Sequence, residues 1–175
     1  MAITIAVGAG NAHAQVDADF RCDGKIESDV WTLWDTSARR FLRDEMVFNR
    51  LKKAGDTYAL YDIQAYAQNL VEMAVRCGRG NRLKEIAELV DLALDEMTDP
   101  PEAAPRSGKR WICRGGRVCN ATNKLLDTEI ALNSQQFLTF AMRVARALAA
   151  ARDWPADRRF VERVTTTATY HLQRW

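Results

Sequence analysis

Apolar residues recur at helical spacing in two parts of the chain, residues 60–97 and 132–175. In the first part, the leading helix carries its apolar stripe at steps of three and four residues: Leu60, Ile63, Ala67, Leu70 and Ala74. Such steps place the side chains on one face of a helix. Neighbouring apolar residues leave little polar surface, which is typical of a helix that packs on several sides. Gly78 follows, and glycine commonly ends a helix because it adopts the left-handed conformation.

The next helix of this part is apolar on one side only. Its apolar face carries Leu83, Ile86, Val90, Leu94 and Met97. The opposite face is rich in Glu, Asp and Lys, as in a surface helix. The pattern therefore predicts a helical hairpin over residues 60–97, in which an inner, largely buried helix is followed by an outer, half-exposed one.

A second inner-and-outer pair is predicted over residues 132–175. Ser134 can cap its first helix, which is again apolar almost all round. Asp153-Trp154-Pro155 marks a stop and a restart, since proline suits the first turn of a helix. The likeness of the two pairs indicates either an internal repeat or two unrelated amphipathic hairpins.

Residues 98–124 form a long loop between the two pairs in this prediction. We therefore predict an all-α fold of antiparallel helical hairpins in a single domain, residues 15–175.

Residues 1–14 are small and apolar and end in Ala12-His13-Ala14. This ending is typical of the cleavage site of a secretory signal peptide. We therefore interpret residues 1–14 as the remnant of a signal peptide and expect a periplasmic or secreted protein that begins near Gln15. The alternative is a first strand or a frayed tail.

An even number of cysteines fits an oxidising compartment and suggests two disulfides. A three-residue turn at Gly115-Gly116-Arg117 would bring Cys113 opposite Cys119 in a small hairpin. Cys22 and Cys77 would then tie the N-terminal segment to the inner helix. Zinc is the competing interpretation, but Cys-x-x-Cys is absent and only one histidine follows the predicted leader, so we expect no metal and no cofactor.

The formal net charge of +2 is close to balance. A near-neutral chain is a poor general binder of polyanions, so we expect no nucleic-acid partner. No apolar run approaches the length of a membrane-spanning helix, and the length suits one domain with a real core. The motifs of phosphate-binding loops, serine hydrolases and zinc proteases are absent.

The long loop is basic and contains one tryptophan. Its candidate ligand-binding residues are Arg110, Trp111, Arg114 and Lys124. Arginine beside an aromatic ring suits a carboxylate or a phosphate on a stacked ring. The alternative is a solvated charged loop held by a disulfide.

Polar residues also gather at the beginnings of the two inner helices. They are Tyr58, Tyr61, Asp62 and Gln64 for the first helix, and Asp127, Glu129, Asn133, Gln135 and Gln136 for the second. If the hairpins stack side by side, these ends converge on one face and provide the rings, amides and carboxylates of a sugar-binding cleft. Asp62, Tyr61 and Asp127 are the candidate catalytic acids or bases. The alternative for each residue is helix capping.

The segments TYALYDIQAYAQNLVEMA and KLLDTEIALNSQQFLTFAMRVARAL carry a resemblance to the α/α-toroid proteins, which include six-hairpin glycosidases and polysaccharide lyases and epimerases. The resemblance is architectural and covers residues 58–175. It implies a cleft at one end of the inner helices. Since two or three hairpins cannot close a toroid of six, it also implies that the chain is an N-terminal part of a larger protein.

Two functions follow as hypotheses. The first is an exported toroid-type protein that binds or degrades a polysaccharide or oligosaccharide, of acidic or neutral character, as a lyase or a glycoside hydrolase. The second is a non-enzymatic periplasmic helical bundle that binds a protein or peptide partner in an apolar groove.

Overall fold

This computed structural model describes residues 21–99, 108–122, 124–150 and 158–174. They contain six helices and one two-stranded sheet. The first helix, α1, continues from α-helical turns at Lys25–Leu33 into π-helical turns at Trp34–Ala38 and Phe41–Lys53. The other elements are α2 (Tyr58–Arg76), α3 (Gly80–Asp95), β1 (Ile112–Cys113), α4 (Gly116–Thr122), β2 (Thr128–Glu129), α5 (Ala131–Ala150) and α6 (Arg158–Arg174). Helices therefore dominate the described chain, as the apolar periodicity predicts.

The first predicted hairpin is the pair α2 and α3. Helix α2 buries Leu60, Ile63, Ala67 and Ala74 of its predicted stripe, and Leu70 is partly buried. The chain turns at Gly78, whose φ of +63° lies in the left-handed region. The glycine signal in the sequence thus marks the turn because a side chain would strain this conformation.

The second predicted hairpin is the pair α5 and α6. Helix α5 packs against α2, α3 and α6, and its contact with α2 is the most extensive helix–helix contact among the described residues. Helices α2 and α5 therefore lie side by side at the centre. The prediction of an all-α fold built from helical hairpins is confirmed.

Helix α1 packs over the first hairpin through its contacts with α2 and α3. Its beginning is tied to the end of α2 by the predicted disulfide between Cys22 and Cys77. Arg79 reinforces this corner, since its Nε donates a hydrogen bond of 2.6 Å to Oε1 of the buried Glu27. The predicted signal-peptide remnant, residues 1–14, lies outside the described residues. Among those described, none of the helices combines the length and the apolar character needed to cross a membrane.

The loop between the hairpins differs from the prediction in one respect. The predicted disulfide between Cys113 and Cys119 is present, but the two cysteines do not face each other in a hairpin. Cys113 lies in β1 and pairs with Thr128 of β2, whereas Cys119 lies on α4. The predicted three-residue turn is wrong because the chain enters a helix at Gly116, whose φ is +88°.

The same loop docks against the corner between α1 and α2. The Arg114 backbone N–H donates a hydrogen bond of 2.9 Å to the carbonyl of Gly55. A Cβ at Gly55 would come within 2.5 Å of the Arg114 Cβ, and φ at Gly55 is +63°. Glycine is thus required at this corner for both conformation and space.

Candidate functional site

A groove of about 580 Å³ runs between α5 and α6. Its apolar walls are formed by Leu138, Met142, Ala168 and Leu172, and its polar lining by Gln135, Thr139, Arg143, Arg146 and His171. The volume is in the range of ligand-binding clefts, which are mostly apolar with a few polar groups. The groove is therefore a candidate site among the described residues.

The apolar residues of the groove repeat once per turn on each wall. Leu138 and Met142 are four residues apart on α5, and Ala168 and Leu172 are four residues apart on α6. Residues four apart lie one above the other along a helix. Leu138 and Ala168 are buried at the floor, at 4% and 7% exposed, whereas Met142 and Leu172, at 37% and 76% exposed, project as two apolar ridges with a furrow between them.

Two arginines on α5 give the groove a positive edge. Arg143 is exposed, and its nearest acidic group is Glu72, with 4.0 Å between Nη1 and Oε1. Arg146 is exposed as well. An exposed pair at 4.0 Å contributes little to stability, so both guanidinium groups can pair with an anionic group of a ligand.

A buried polar pair lies at one side of the groove. His171 lines the groove, is only 1% exposed, and has its Nδ1 3.1 Å from Oε1 of Glu129. The Glu129 carboxylate is equally buried and also pairs with Arg174. The His171 ring lies against Trp111, with 5.8 Å between the ring centroids, and meets Tyr170 edge-on at 5.3 Å.

Glu129 is held in its ionised form. Burial acts to raise the pKa of its carboxyl, but the adjacent side chains of His171, Ser134 and Arg174 outweigh burial and hold the pKa below its ordinary value. A buried carboxylate needs such compensation, since an isolated buried charge is costly. The carboxylate is therefore a hydrogen-bond acceptor for the imidazole at neutral pH.

A smaller cavity of about 150 Å³ adjoins the groove and shares Thr139 and Arg143 with it. Its remaining lining is mostly amide: Gln64, Gln68, Gln136 and Phe140. Gln64, a predicted ligand-binding residue, donates a hydrogen bond to Gln68. The two inner helices thus meet in an amide-rich pocket.

The other predicted residues at the start of α2 also lie together. The rings of Tyr58 and Tyr61 are stacked, with 5.3 Å between centroids. Asp62, predicted as a catalytic candidate, pairs with Arg50, which also binds Asp56 at 2.8 Å. The carboxylate of Asp62 is therefore committed to an ion pair that fastens α1 to α2.

Trp111 corrects an expectation. We expected its ring to stack on a ligand, but it is 1% exposed and packs edge-on against Phe137. Its indole N–H donates a hydrogen bond of 2.7 Å to the carbonyl of Ala93. The ring fills the core under the loop because its large apolar area and its single donor are both satisfied there.

The basic residues of the loop contact separate parts of the fold. Arg110 donates a hydrogen bond to the hydroxyl of Tyr170 on α6, and Arg114 donates one to the carbonyl of Lys52 in α1. Lys124 is exposed. The contacts of these residues do not bring them to one predicted anion site.

The predicted residues before and at the start of α5 have different environments. Asp127 has φ of +58° and donates its backbone N–H to the carbonyl of Cys113, as a turn residue. Asn133 is buried, and its side-chain Nδ2 has no hydrogen-bond partner among the described residues. Gln135 lines the groove. Of the predicted ligand-binding residues, Gln135 reaches the groove and Gln64 reaches the adjoining cavity.

Sequence reasoning placed His171 outside any site. The signal that could have found it is the spacing of α6, where Phe160, Val164 and Ala168 are buried and the next position on that face is His171. Leu172, which the apolar pattern places in the core, is instead 76% exposed. The buried face of α6 continues from Ala168 by a step of three residues to His171. The imidazole of His171, and not the side chain of Leu172, is therefore buried.

Cys22, Glu27 and Cys77 approach one another within 4.8 Å and are the described group closest to a metal-binding geometry. Both cysteines are consumed by the disulfide, and only a thiolate would bind a metal strongly. The carboxylate of Glu27 is occupied by Arg79. The cluster therefore serves the corner of the fold.

No family model matches the chain, and no curated protein or solved structure shows significant similarity to it. Its function must therefore be inferred from the residues of the site themselves.

Proposed function

We propose that the protein is a binding module of helical hairpins that receives an acidic amphipathic helix of a protein or peptide partner in the groove between α5 and α6. The observation that carries this proposal is the pair of apolar ridges with a positive edge. It is the second of the two functions that the sequence predicts, with the site and the character of the partner now specified.

The spacing of the ridges favours a helical partner. Side chains that repeat every turn on both walls can interlock with side chains that repeat every turn on a third helix. Met142 suits such a surface because its unbranched side chain adapts to different partners. Leu172 is largely exposed, and its full burial by a partner would contribute about 1.5–3 kcal/mol.

The charge at the edge favours an acidic partner. Arg143 and Arg146 follow each other by three residues on α5, so they lie on neighbouring positions of one helix face. Glutamates or aspartates on the polar side of the docked helix would pair with them. Such exposed pairs guide association and specificity more than they add affinity.

An oxidising compartment suits this module. Disulfides persist in exported proteins and are rare in the reducing cytosol. This chain has two of them. We therefore include export in the proposal, with residues 1–14 as the signal that directs it.

The test is a titration of the oxidised chain with a synthetic helical peptide that has leucines on one face and glutamates on the other. Leu172→Glu should weaken binding by at least on the order of tenfold, because it places a charge in the apolar furrow. Leu132→Glu is the matched control, since Leu132 is an exposed leucine of α5 outside the groove. Equal affinity of both variants and the unmodified protein would refute the groove as the binding site.

Charge is tested with the same peptide. Arg143→Ala combined with Arg146→Ala should weaken binding about fivefold at low salt and less at high salt, since exposed charges are screened. Arg40→Ala combined with Arg43→Ala removes two arginines of α1 that lie outside the groove and should leave the affinity unchanged.

An acidic glycan remains a second proposal, favoured by the stacked Tyr58 and Tyr61 next to the amide-lined cavity at Gln64. Tyrosine rings and amides are suited to sugar rings and hydroxyls. In this proposal the chain is the N-terminal part of an exported α/α-toroid protein of the polysaccharide lyase or glycoside hydrolase kind. An oligosaccharide of uronic acids should raise the melting temperature, and Tyr58→Ala with Tyr61→Ala should abolish the shift; an unchanged shift would refute the role of the stacked tyrosines.

A further inference from the structure

One polar side chain in the groove is left without a protein partner. His171 is buried and lines the groove, and neither of its ring nitrogens makes a hydrogen bond of full geometry among the described residues: Nδ1 has only the 3.1 Å contact with Oε1 of Glu129, and Nε2 has no partner. A buried nitrogen that lacks a partner destabilises a fold, since it has lost its water without replacement. A ligand in the groove can supply that partner.

Glu129 determines whether the missing partner of Nε2 is a hydrogen-bond donor or an acceptor. Its Oε1 lies 3.1 Å from Nδ1 of His171, and Arg174 already neutralises the carboxylate charge from the same end of α6. A proton on Nδ1 would face this carboxylate, so the contact favours the tautomer that carries its proton there. A neutral ring with its proton on Nδ1 has a lone pair on Nε2, which makes that atom an acceptor.

The ring is also fixed in orientation. Trp111 lies along one side of it and Tyr170 meets it edge-on, while Glu129 fixes the Nδ1 edge. A ring flip would carry Nδ1 away from the buried carboxylate, which would then face a C–H edge of the ring. The acceptor therefore keeps one position relative to the groove.

We propose that His171 is a specificity-determining residue of the groove, which accepts a hydrogen bond at Nε2 from a donor side chain, such as a serine hydroxyl, on the apolar face of the docked helix. Glu129 is the positioning residue that sets the tautomer. This inference rests on the proposed helix-binding function and adds one requirement to the partner, a single donor among its apolar residues.

The tautomer is tested first, on the full oxidised chain labelled with ¹⁵N-histidine, at pH 8. The nitrogen chemical shifts and the couplings to the ring protons distinguish a proton on Nδ1, a proton on Nε2 and an imidazolium. We expect the neutral ring with its proton on Nδ1, and Glu129→Gln should reduce that preference. A proton on Nε2, or an imidazolium at this pH, overturns the proposal; if Glu129→Gln does not fold, the spectrum of the unmodified chain still decides.

The recognition step is tested with two series of peptides built on the leucine and glutamate helix, each longer than about 15 residues so that it stays helical. Serine replaces each leucine in turn in one series, and alanine replaces the same leucine in the other. At one position the serine peptide should bind about fivefold more tightly than its alanine partner. That preference should disappear in His171→Phe, whose ring cannot accept a hydrogen bond.

The outcomes separate the two proposals. If all peptides bind and no serine peptide exceeds its alanine partner, the role of His171 is overturned while helix docking stands. If no peptide of either series binds, helix docking itself is overturned, and recognition by His171 falls with it.

Discussion

The two helical hairpins of this protein differ in what lies over them. Helix α1 packs over α2 and α3, and its residues bind the polar side of α3 directly: the indole N–H of Trp34 donates a hydrogen bond of 2.7 Å to Glu85, and Arg39 pairs with Glu88 at 2.8 Å. On α5 and α6, the apolar ridges are open within the described part of the chain. Two hairpins with similar patterns thus differ in their surroundings: α1 packs over the first, with Leu33, Phe41 and Tyr66 left exposed beside it, whereas the second keeps Met142 and Leu172 exposed.

The largest expected effect is a loss of stability at the first hairpin, which α1 covers. Trp34 is 1% exposed between α1 and the first hairpin, so Trp34→Ala should lower the free energy of unfolding by about 3–5 kcal/mol through lost burial and a cavity. Leu172→Ala at the open hairpin should change it by less than about 0.5 kcal/mol. Urea unfolding of both variants checks the contrast, and a large loss at Leu172 would mean that the groove is part of the core.

The two disulfides should also differ in how much each stabilises the fold. Cys22 and Cys77 are 55 residues apart in sequence, and Cys113 and Cys119 are 6 apart. Closing a longer loop restricts the unfolded chain more, so we expect losses of about 4 kcal/mol for Cys22→Ser with Cys77→Ser and about 2 kcal/mol for Cys113→Ser with Cys119→Ser. Denaturant unfolding of the two double variants tests the order, which equal or reversed losses would contradict.

The response to acid tests the buried carboxylate of Glu27. The hydrogen bond from Arg79 lowers the pKa of Glu27 from its ordinary 4.5 to about 2. A lowered carboxyl pKa contributes stability above the ordinary value, and that contribution is lost as the pH falls from about 4.5 to about 2. Unfolding midpoints between pH 6 and pH 2 should fall less steeply for Glu27→Gln than for the unmodified chain. Parallel curves would show that the pair with Arg79 does not couple to folding.

The smallest expected effect concerns the link between the hairpins. Arg163 of α6 pairs with Asp91 at 2.9 Å and with Asp95 at 2.6 Å on α3. These groups are partly exposed, so Arg163→Ala should cost no more than about 1 kcal/mol. A thermal melt at low and high salt measures it, and a loss well above that value would show that the ion pairs hold the hairpins together.

The helices and the disulfides could be predicted from the sequence because their causes are local. Apolar steps of three and four residues identify α2 and α5, and Gly78 marks a turn that needs positive φ. The cysteine pairing followed from number and distance along the chain. These signals do not depend on which distant residues meet.

The site could not be predicted to the same extent because it depends on contacts between residues that are far apart in the sequence. Trp111 is buried since Ala93 provides an acceptor and Phe137 a ring face, and neither is near it in sequence. The neighbour of His171 is Glu129, which lies on another element. Residue type suggested an exposed ring for the tryptophan and no site for the histidine, whereas the fold buries the tryptophan and places the histidine at the groove.

Gly55 and Gly78 both have φ of +63°, yet their surroundings predict different tolerance of variation. Nothing lies within 4 Å of a Cβ added at Gly78, so asparagine, which accepts the left-handed conformation, should be allowed there. A Cβ at Gly55 would collide with Arg114 and push the loop away from the corner. In a library of random variants, position 78 should therefore vary among residues that tolerate positive φ, while position 55 should remain glycine in every folded member.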